Sequence, residues 1–248
     1  MDIYIMEYAR HLSEKGYAFI PGEYYISLRN KTTNNKIEYD KDLAVFKQGF
    51  EHLTLDPYSP GNRWRGYAQC RRENNGELLF GKFVPYKQTK AYNPDTGGIV
   101  RDYPLLPESI TGNRLLQTLL TDDIRQVEAY GHAGSLDNLT IGIHLFRYQA
   151  TIDAPAFSSP VWLHKDDEDI VFIHLITATP NMLGGDNLIA SNAHCIERVL
   201  RLEQPFDTLV VNHDKYHAVT PVGVRENSGV ALRDIVLITF QRNDEGPA

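Results

Sequence analysis

The sequence predicts a mainly β protein with flanking helices, built around a double-stranded β-helix, the jelly-roll core of cupin-like proteins. Short β-rich runs follow one another after residue 139, and turn residues separate most of them. Such spacing is typical of an all-β sandwich or barrel, and a jelly roll can enclose a small site between two facing sheets. The predicted strands are 140–150, 160–164, 170–177, 186–191, 208–212, 217–222 and 231–241, with a helix at 193–202 between them.

The first half of the chain combines helical spacing with long polar loops. Apolar residues recur every three or four positions over 3–15 and 107–130, which predicts two helices. We expect a short strand at 17–20, a loop over 28–42 and a further helix near 41–53. Residues 56–105 are rich in Gly, Pro, Asn and Tyr, and loops of this kind often form the walls or the lid of a binding site.

These patterns predict one domain over residues 1–248. Residues 1–138 are expected to form a helical and loop part that packs on the outside of the barrel. Residues 139–241 are expected to form the jelly-roll catalytic core.

Composition and charge favour a protein that acts on a small molecule. The net charge is −7, and the densest basic spot, Arg71-Arg72, is too short for a nucleic-acid surface. No apolar run approaches the ~20 residues of a membrane-spanning helix, and the first residues lack a signal-peptide pattern. Cys70 and Cys195 form no disulfide framework. We therefore expect a cytoplasmic protein with reduced thiols and with neither a nucleic-acid nor a membrane partner.

Three residues carry most of the chemical information. His164 and Asp166 stand two apart, so they share a face if they lie on a strand, and His217 opens a later predicted strand. Two imidazoles and one carboxylate can occupy one face of an octahedral metal, as in non-haem Fe(II) oxygenases. The His-x-Asp pair is weak evidence by itself, and zinc could use the same three ligands. His213, in a turn near His217, is interpreted as a loop residue that could compete for the ligand role, whereas His174 in an apolar strand is typical of a core histidine.

Arg233 lies within a predicted strand, sixteen residues after His217. A buried charge is costly unless it is paired, so Arg233 either forms a salt bridge, for example with Asp234, or binds a ligand carboxylate in a bidentate manner. 2-Oxoglutarate has a distal carboxylate for such an arginine and a 2-oxo acid end that chelates iron. The hydroxyl of Tyr148 could donate to the same carboxylate, or the ring could simply pack in the core.

Several segments resemble the Fe(II)/2-oxoglutarate-dependent dioxygenases, and more narrowly the bacterial hydroxylases of free L-amino acids, the L-isoleucine 4-hydroxylase-like group. The likeness covers roughly residues 90–241 and is most specific in His-Lys-Asp-Asp-Glu and Gly-Gly-Asp-Asn. The similar segments are 157–168, 184–190, 217–221 and 233–235, with 97–98, 100–101, 142–144 and 147–148 upstream.

The resemblance implies an enzyme that binds Fe(II) through His164, Asp166 and His217 and 2-oxoglutarate through Arg233 and Tyr148. Its reaction would use O2 to hydroxylate an unactivated C–H bond of a free L-amino acid such as isoleucine or leucine. 2-Oxoglutarate would be decarboxylated to succinate and CO2, and ascorbate would support the reaction in vitro. Alternatives are desaturation or cyclisation of an amino-acid-derived intermediate, a non-catalytic cupin-like binding protein, and a zinc hydrolase.

An amino-acid substrate needs a cation for its carboxylate and an acceptor for its ammonium group. We expect the first from the loops before the barrel and the second from the acidic residues beside the iron pair. Trp162 is expected to share the face of His164 and Asp166. The substrate candidates are thus Arg63, Arg65, Arg101, Asp167, Glu168 and Trp162.

Overall fold

Antiparallel strands dominate the structure, and five helices accompany them among the described residues. The computed structural model describes residues 3–32, 36–59, 61–73, 75–93, 96–132, 139–225 and 229–242. The strands are β1 (Tyr17–Ile20), β2 (Thr54–Leu55), β3 (Arg63–Arg72), β4 (Leu78–Gly81), β5 (Leu139–Ala150), β6 (Ile170–Ala178), β7 (Met182–Gly184), β8 (Asn187–Asn192), β9 (Cys195–Leu200), β10 (Thr208–Asn212), β11 (Tyr216–Val219), β12 (Val222–Val224) and β13 (Ala231–Arg242). The helices are α1 (Ile3–Lys15), α2 (Gly22–Thr32), α3 (Lys36–Gly49), α4 (Glu108–Thr111) and α5 (Arg114–Val127).

One large sheet and two small sheets form the two walls of the jelly roll. The large sheet has the order β1-β10-β6-β13-β5-β3-β2, and β4 pairs with β3. The small sheets have the orders β11-β8-β9 and β12-β7. Residues of the small sheets pack in one apolar cluster with residues of the large sheet. The two walls therefore face each other, and a site can lie between them.

Alternation along β13 gives the large sheet two different faces. Val236 and Ile238 join a large apolar cluster with Leu116 of α5, so the helices cover this face. Ile235, which precedes Val236 and therefore points to the opposite face, packs with Ile189 of β8 in the second cluster. The helices therefore close one face of the sheet, and the other face is left to build the site.

Strands from the first half of the chain complete the large sheet, which corrects the expectation that this half only packs on the outside. β3 pairs with β5 from Arg63↔Tyr148 to Cys70↔Ile141, and β1 pairs with β10. An unpaired strand edge leaves backbone groups open to other chains, and these two strands cover the edges of the sheet built after residue 139. The helices pack against one face of this sheet.

Two of the predicted elements after residue 139 are wrong. Residues 193–202 contain the exposed strand β9 and no helix, because their backbone pairs with β8 and tertiary pairing overrides weak local propensity. Residues 160–163 form no strand, and His164 makes only an isolated bridge to His217.

The helical predictions in the first half need smaller corrections. The expected loop over 28–42 holds the end of α2 and the start of α3, with 33–35 outside the described residues. The predicted helix over 107–130 divides into α4 and α5, because Asn113 caps a new start by accepting a hydrogen bond from the backbone N–H of Leu115. Within the described ranges, no helix has both the length and the apolar character to cross a membrane.

A buried polar cluster joins α5 to the large sheet. The Asp123 carboxylate accepts a hydrogen bond from the Tyr25 hydroxyl at 2.9 Å and lies 2.9 Å from Nε2 of His174. The other ring nitrogen of His174, Nδ1, lies 2.7 Å from the Thr208 hydroxyl. Burial raises the pKa of Asp123, and the contact with His174 opposes that shift. His174 is thus a core histidine, as the sequence predicts, and its partners come from three other elements.

We predict that Asp123→Ala lowers the free energy of unfolding by about 3–5 kcal/mol, because it leaves a buried imidazole and a buried phenol without their shared partner. Chemical denaturation measures the change. Glu14→Ala is the control, since the Arg10–Glu14 pair is exposed and such pairs contribute at most about 1 kcal/mol. Equal losses in the two variants would contradict a structural role for the cluster.

Candidate active site

A cavity of about 100 Å³ lies between the large sheet and the small sheets. Arg233, Ile235, Leu237 and Thr239 reach it from β13 by alternation. Six residues of strand separate the first from the last, which corresponds to about 20 Å. The other lining residues come from strands β3, β5, β6, β8 and β11 and from the segments 86–93, 96–101 and 158–168.

His164, Asp166 and His217 converge at this cavity. Their ligand atoms all lie within 4.8 Å of one another, and the Asp166 carboxylate lies 3.7 Å from Nε2 of His164 and 3.1 Å from Nε2 of His217. Two backbone hydrogen bonds, of 3.0 and 2.9 Å, join His164 to His217. The chain therefore holds the two imidazoles side by side although about fifty residues separate them.

The protonation of these groups suits a divalent cation. Nδ1 of His164 lies 2.8 Å from the Trp162 carbonyl oxygen, which can only accept, so Nδ1 carries the proton and Nε2 presents a lone pair. Burial alone would raise the pKa of Asp166, but the imidazoles of His217 and His164 hold it at about 2. Two imidazole nitrogens and an ionised carboxylate form the donor set of facial-triad iron sites.

His213 does not join this group. Its Nε2 lies 3.1 Å from the Tyr92 hydroxyl, and the described residues contain no metal-ligating trio other than His164, Asp166 and His217. His213 therefore contacts Tyr92 of a neighbouring loop and is not part of the candidate metal site.

Arg233 is a buried cation without a carboxylate partner in the described structure. Its side chain is 2% exposed, and its Nη2 has no hydrogen-bond partner among the described residues. Burial lowers its pKa. Asp234, the salt-bridge candidate, lies on the other face and makes two hydrogen bonds to Arg147 at 2.8 and 2.9 Å. The Tyr148 ring lies 5.8 Å from the Arg233 guanidinium carbon, so the two predicted co-substrate residues are neighbours.

A glycine turn accommodates the Arg233 side chain. Gly185 has a φ of 73°, a conformation that favours glycine, and an added Cβ would lie 3.1 Å from Cδ of Arg233. A side chain at Gly185 would crowd Arg233, which explains a glycine at this position of the Gly-Gly-Asp-Asn segment.

Two of the expected substrate residues do not line the cavity. The Trp162 side chain is 58% exposed, because residues 160–163 form no strand and the alternation that would turn it inward is absent. Asp167 points to a neighbouring loop, where it accepts hydrogen bonds from the backbone and the side chain of Thr89. The expectation that Trp162 and Asp167 form part of the cavity wall is therefore wrong.

Arg63 and Arg65 line the cavity, but other groups already engage them. Arg63 contacts the Asp56 carboxylate at 2.6 Å, and both side chains are buried. Arg65 donates to the Tyr103 hydroxyl at 2.9 Å and contacts Nδ1 of His144. These arginines give the cavity a positive potential from fixed positions.

Arg101 and Glu168 also line the cavity. Arg101 donates to the Gln88 side chain at 3.2 Å, to the Thr96 carbonyl at 3.2 Å and to the Thr96 hydroxyl at 2.6 Å. Glu168 is 5% exposed, and its Oε2 has no partner among the described residues. Burial and the neighbouring Asp166 carboxylate raise the pKa of Glu168 to about 8.

The sequence reasoning missed several residues of the cavity wall. Two of them, Tyr86 and Gln88, lie in the loop region 56–105, whose composition predicted substrate walls without identifying individual residues. Asn187 lies in the Gly-Gly-Asp-Asn segment, but nothing in the sequence separates it from Asp186. The missed residues are Tyr86, Gln88, Phe146, Ser158, Ser159, Ile173, Asn187, Ala218, Val219, Ile235, Leu237 and Thr239.

A family model agrees with this geometry. Residues 47–239 match the model of the 2OG-Fe dioxygenases. The chain belongs to this family, and it is an enzyme that depends on Fe(II), 2-oxoglutarate and O2. The predicted family, enzyme type and cofactors are thereby confirmed.

Two individual relatives and one solved structure specify which members of the family this chain is similar to. The chain is 69% identical over 244 residues to the 3(1)-hydroxy-L-isoleucine 4-dioxygenase of Pantoea ananatis (strain AJ13355), covering 98% of this chain and 99% of that one. It is 43% identical over 217 residues to the L-isoleucine-4-hydroxylase of Bacillus thuringiensis, covering 87% and 90%. The crystal structure of IDO from Bacillus thuringiensis superposes with a TM-score of 0.82 at 32% identity, covering 97% and 100%. The predicted mainly β jelly-roll fold is confirmed.

We predict a pH effect from Glu168 in the metal-free protein. Its folded-state pKa of about 8 lies above its ordinary value of 4.5, so the folded protein binds the proton more tightly. This contribution to stability is present at low pH and is lost as pH rises from 4.5 through about 8. Denaturation of Glu168→Gln across this window should show a shallower decline than the wild type. The exposed Glu203→Gln is the control, and parallel curves for wild type and Glu168→Gln would refute the assignment.

Proposed function

We propose that this protein hydroxylates an unactivated C–H bond of a free L-amino acid, with decarboxylation of 2-oxoglutarate to succinate and CO2. The observation that carries the proposal is the meeting of two imidazoles and a carboxylate with an unpaired buried arginine in one cavity. Together they match the needs of iron and of a keto dicarboxylate.

In this proposal His164, Asp166 and His217 hold Fe(II). The iron, when bound, supplies the activation of O2 that C–H oxidation requires. The chain contributes the orientation of the ligands, since the Trp162 carbonyl fixes His164 and the backbone pairing fixes His217 beside it. The buried site also keeps bulk water away from the reacting bond.

Arg233 and Tyr148 bind the distal carboxylate of 2-oxoglutarate in this proposal. A buried guanidinium without a partner is unfavourable, and a carboxylate can satisfy it with two parallel hydrogen bonds. The register Arg233↔Tyr148 on paired strands places the phenol beside the guanidinium. Asp234 offers no competition, because Arg147 already binds it.

The amino-acid head group binds at the other end of the cavity, in our proposal. Glu168 accepts from the ammonium group through its free Oε2, and Arg101 donates to the carboxylate. Arg63 and Arg65 add positive potential behind these contacts. A bound ammonium group would lower the pKa of Glu168 from about 8, because an adjacent positive charge favours the ionised form.

Isoleucine and its hydroxylated derivative are the substrates we favour. The printed names of two relatives are 3(1)-hydroxy-L-isoleucine 4-dioxygenase and L-isoleucine-4-hydroxylase. The 69% identity to the first supports a substrate that already carries a hydroxyl group. Leucine, desaturation and cyclisation are the alternatives that the experiment below separates.

We also place the protein in the cytoplasm, without a nucleic-acid or membrane partner. Cys70 and Cys195 are both free thiols, which fits a reducing compartment. Arg63 and Arg65 are buried in the cavity wall, so they add nothing to a basic surface.

The test is a panel of free amino acids with Fe(II), 2-oxoglutarate, O2 and ascorbate, read by mass spectrometry. We expect the mass of one oxygen atom to be added to isoleucine or to a hydroxylated isoleucine, together with succinate. Loss of two hydrogens would indicate desaturation or ring closure instead. No product from any amino acid, with the iron bound, would overturn the proposal. A reaction that continues without O2 would indicate a zinc hydrolase.

We predict that Arg233→Ala raises the KM for 2-oxoglutarate about 100-fold, which corresponds to about 3 kcal/mol of lost charge-assisted hydrogen bonding. Arg233→Lys should lie between this variant and the wild type, because it keeps the charge and loses the bidentate geometry. Initial rates at varied 2-oxoglutarate measure both effects. Arg198→Ala, on the exposed strand β9, is the control, and an unchanged KM in Arg233→Ala would remove Arg233 from the co-substrate site.

A further inference from the structure

One loop supplies three groups to the substrate end of the cavity. We call residues 86–93 and 96–101 the strap. Backbone hydrogen bonds from Gly98 to Gln88 (2.7 Å) and from Arg101 to Tyr86 (2.9 Å) draw its two arms together. The strap side chains of Tyr86, Gln88 and Arg101 line the cavity. The position of the strap therefore decides whether these three groups meet a substrate.

Asp167 ties the strap to the metal-binding segment. Its Oδ2 accepts from the backbone N–H of Thr89 at 2.5 Å, and its Oδ1 accepts from the Thr89 hydroxyl at 3.0 Å. Both oxygens of the carboxylate are thus used on a single strap residue. Asp167 stands between Asp166 and Glu168 in the chain, so the tie begins directly beside the iron ligand and the proposed ammonium acceptor.

A second contact supports the same end of the strap. The Tyr92 hydroxyl lies 3.1 Å from Nε2 of His213, and the backbone N–H of His213 donates to the Asp169 carbonyl at 2.9 Å. Both ties therefore lead back to the segment that follows Asp166. The strap is also anchored at its start, where the Tyr86 ring packs against Tyr67 and His144 of the large sheet. The exposed Lys82–Asp102 pair lies at its base.

We propose that Asp167 is a positioning residue, a latch that holds the strap so that Gln88 and Arg101 face the amino-acid substrate beside the iron site. The inference rests on the proposed function, and it replaces the expected role of Asp167 as an ammonium acceptor. A latch of this kind acts on the amino acid and leaves the 2-oxoglutarate end untouched, because Arg233 and Tyr148 belong to the large sheet.

Three variants grade the strength of the latch. Asp167→Ala removes both acceptors, and we expect it to raise the KM for the amino acid about tenfold, with the KM for 2-oxoglutarate unchanged. Thr89→Ala removes only the hydroxyl bond, and Asp167→Asn keeps one oxygen for the Thr89 N–H. Both should give smaller increases than Asp167→Ala. Asp102→Ala is the matched control, because it breaks an exposed pair at the base of the same strap.

The ratio of products provides a second measurement. A productive turnover converts 2-oxoglutarate, O2 and the amino acid into succinate, CO2 and the hydroxylated amino acid in equal amounts. A turnover that leaves the amino acid unchanged still yields succinate, with ascorbate supplying the two missing electrons. We expect Asp167→Ala to form less hydroxylated amino acid per succinate than the wild type.

Hydrogen exchange of the metal-free protein tests the latch without turnover. The Thr89 amide and the rest of 86–93 should exchange faster in Asp167→Ala than in the wild type and in Asp102→Ala. Unchanged exchange together with an unchanged KM for the amino acid would overturn the proposal. So would parallel rises in both KM values with a lowered Tm, which would indicate a merely structural role. If the wild type oxidised no amino acid, the proposed function would be wrong. The hydrogen-exchange rates of residues 86–93 would then be the only test of whether Asp167 holds the strap.

Discussion

The backbone pairing of His164 with His217 is the interaction on which the active site depends. Two hydrogen bonds of 3.0 and 2.9 Å place the two imidazoles side by side, and Asp166 follows two residues later. The metal-binding segment is otherwise irregular, since residues 160–163 form no strand. Its position therefore rests on this short bridge to β11, which is itself paired with β8. A paired strand thus carries one candidate ligand and aligns the irregular segment that carries the other two.

The large sheet determines where charge can be placed inside the cavity. Its inner face carries Arg233 on β13 and Arg65 and Arg63 on β3, the two strands on either side of β5, and the surroundings of the three arginines differ. Asp56 pairs with Arg63, aromatic and imidazole groups surround Arg65, and Arg233 has no carboxylate among the described residues. Because burial of an unpaired charge is costly, the free arginine marks the position where an anionic ligand contributes most to binding. The protein thereby separates structural arginines from the one available to a co-substrate.

Three adjacent carboxylates illustrate how environment assigns roles. Asp166 lies between two imidazoles, which hold its pKa at about 2. Asp167 binds a loop through both of its oxygens, and Glu168 is buried beside Asp166 with a pKa of about 8. Their chemistry is nearly identical in the sequence, so only their surroundings distinguish them. The segment 166–168 consequently faces the metal-binding site, the strap and the substrate end of the cavity at once.

The sequence by itself determined the fold class, the residue types of the candidate metal site and the strand that carries Arg233. These features follow from local patterns, namely alternation, turn residues and the spacing of His164, Asp166 and His217. Tertiary structure decided that β9 is a strand, that β1 and β3 complete the large sheet, that Trp162 faces outward and that Asp167 binds the strap. It also decided that Arg233 lacks the Asp234 partner, because Asp234 lies on the opposite face with Arg147. The physical reason is the same in each case, since strand pairing and the neutralisation of buried charge depend on partners far away in the chain, which local periodicity does not encode.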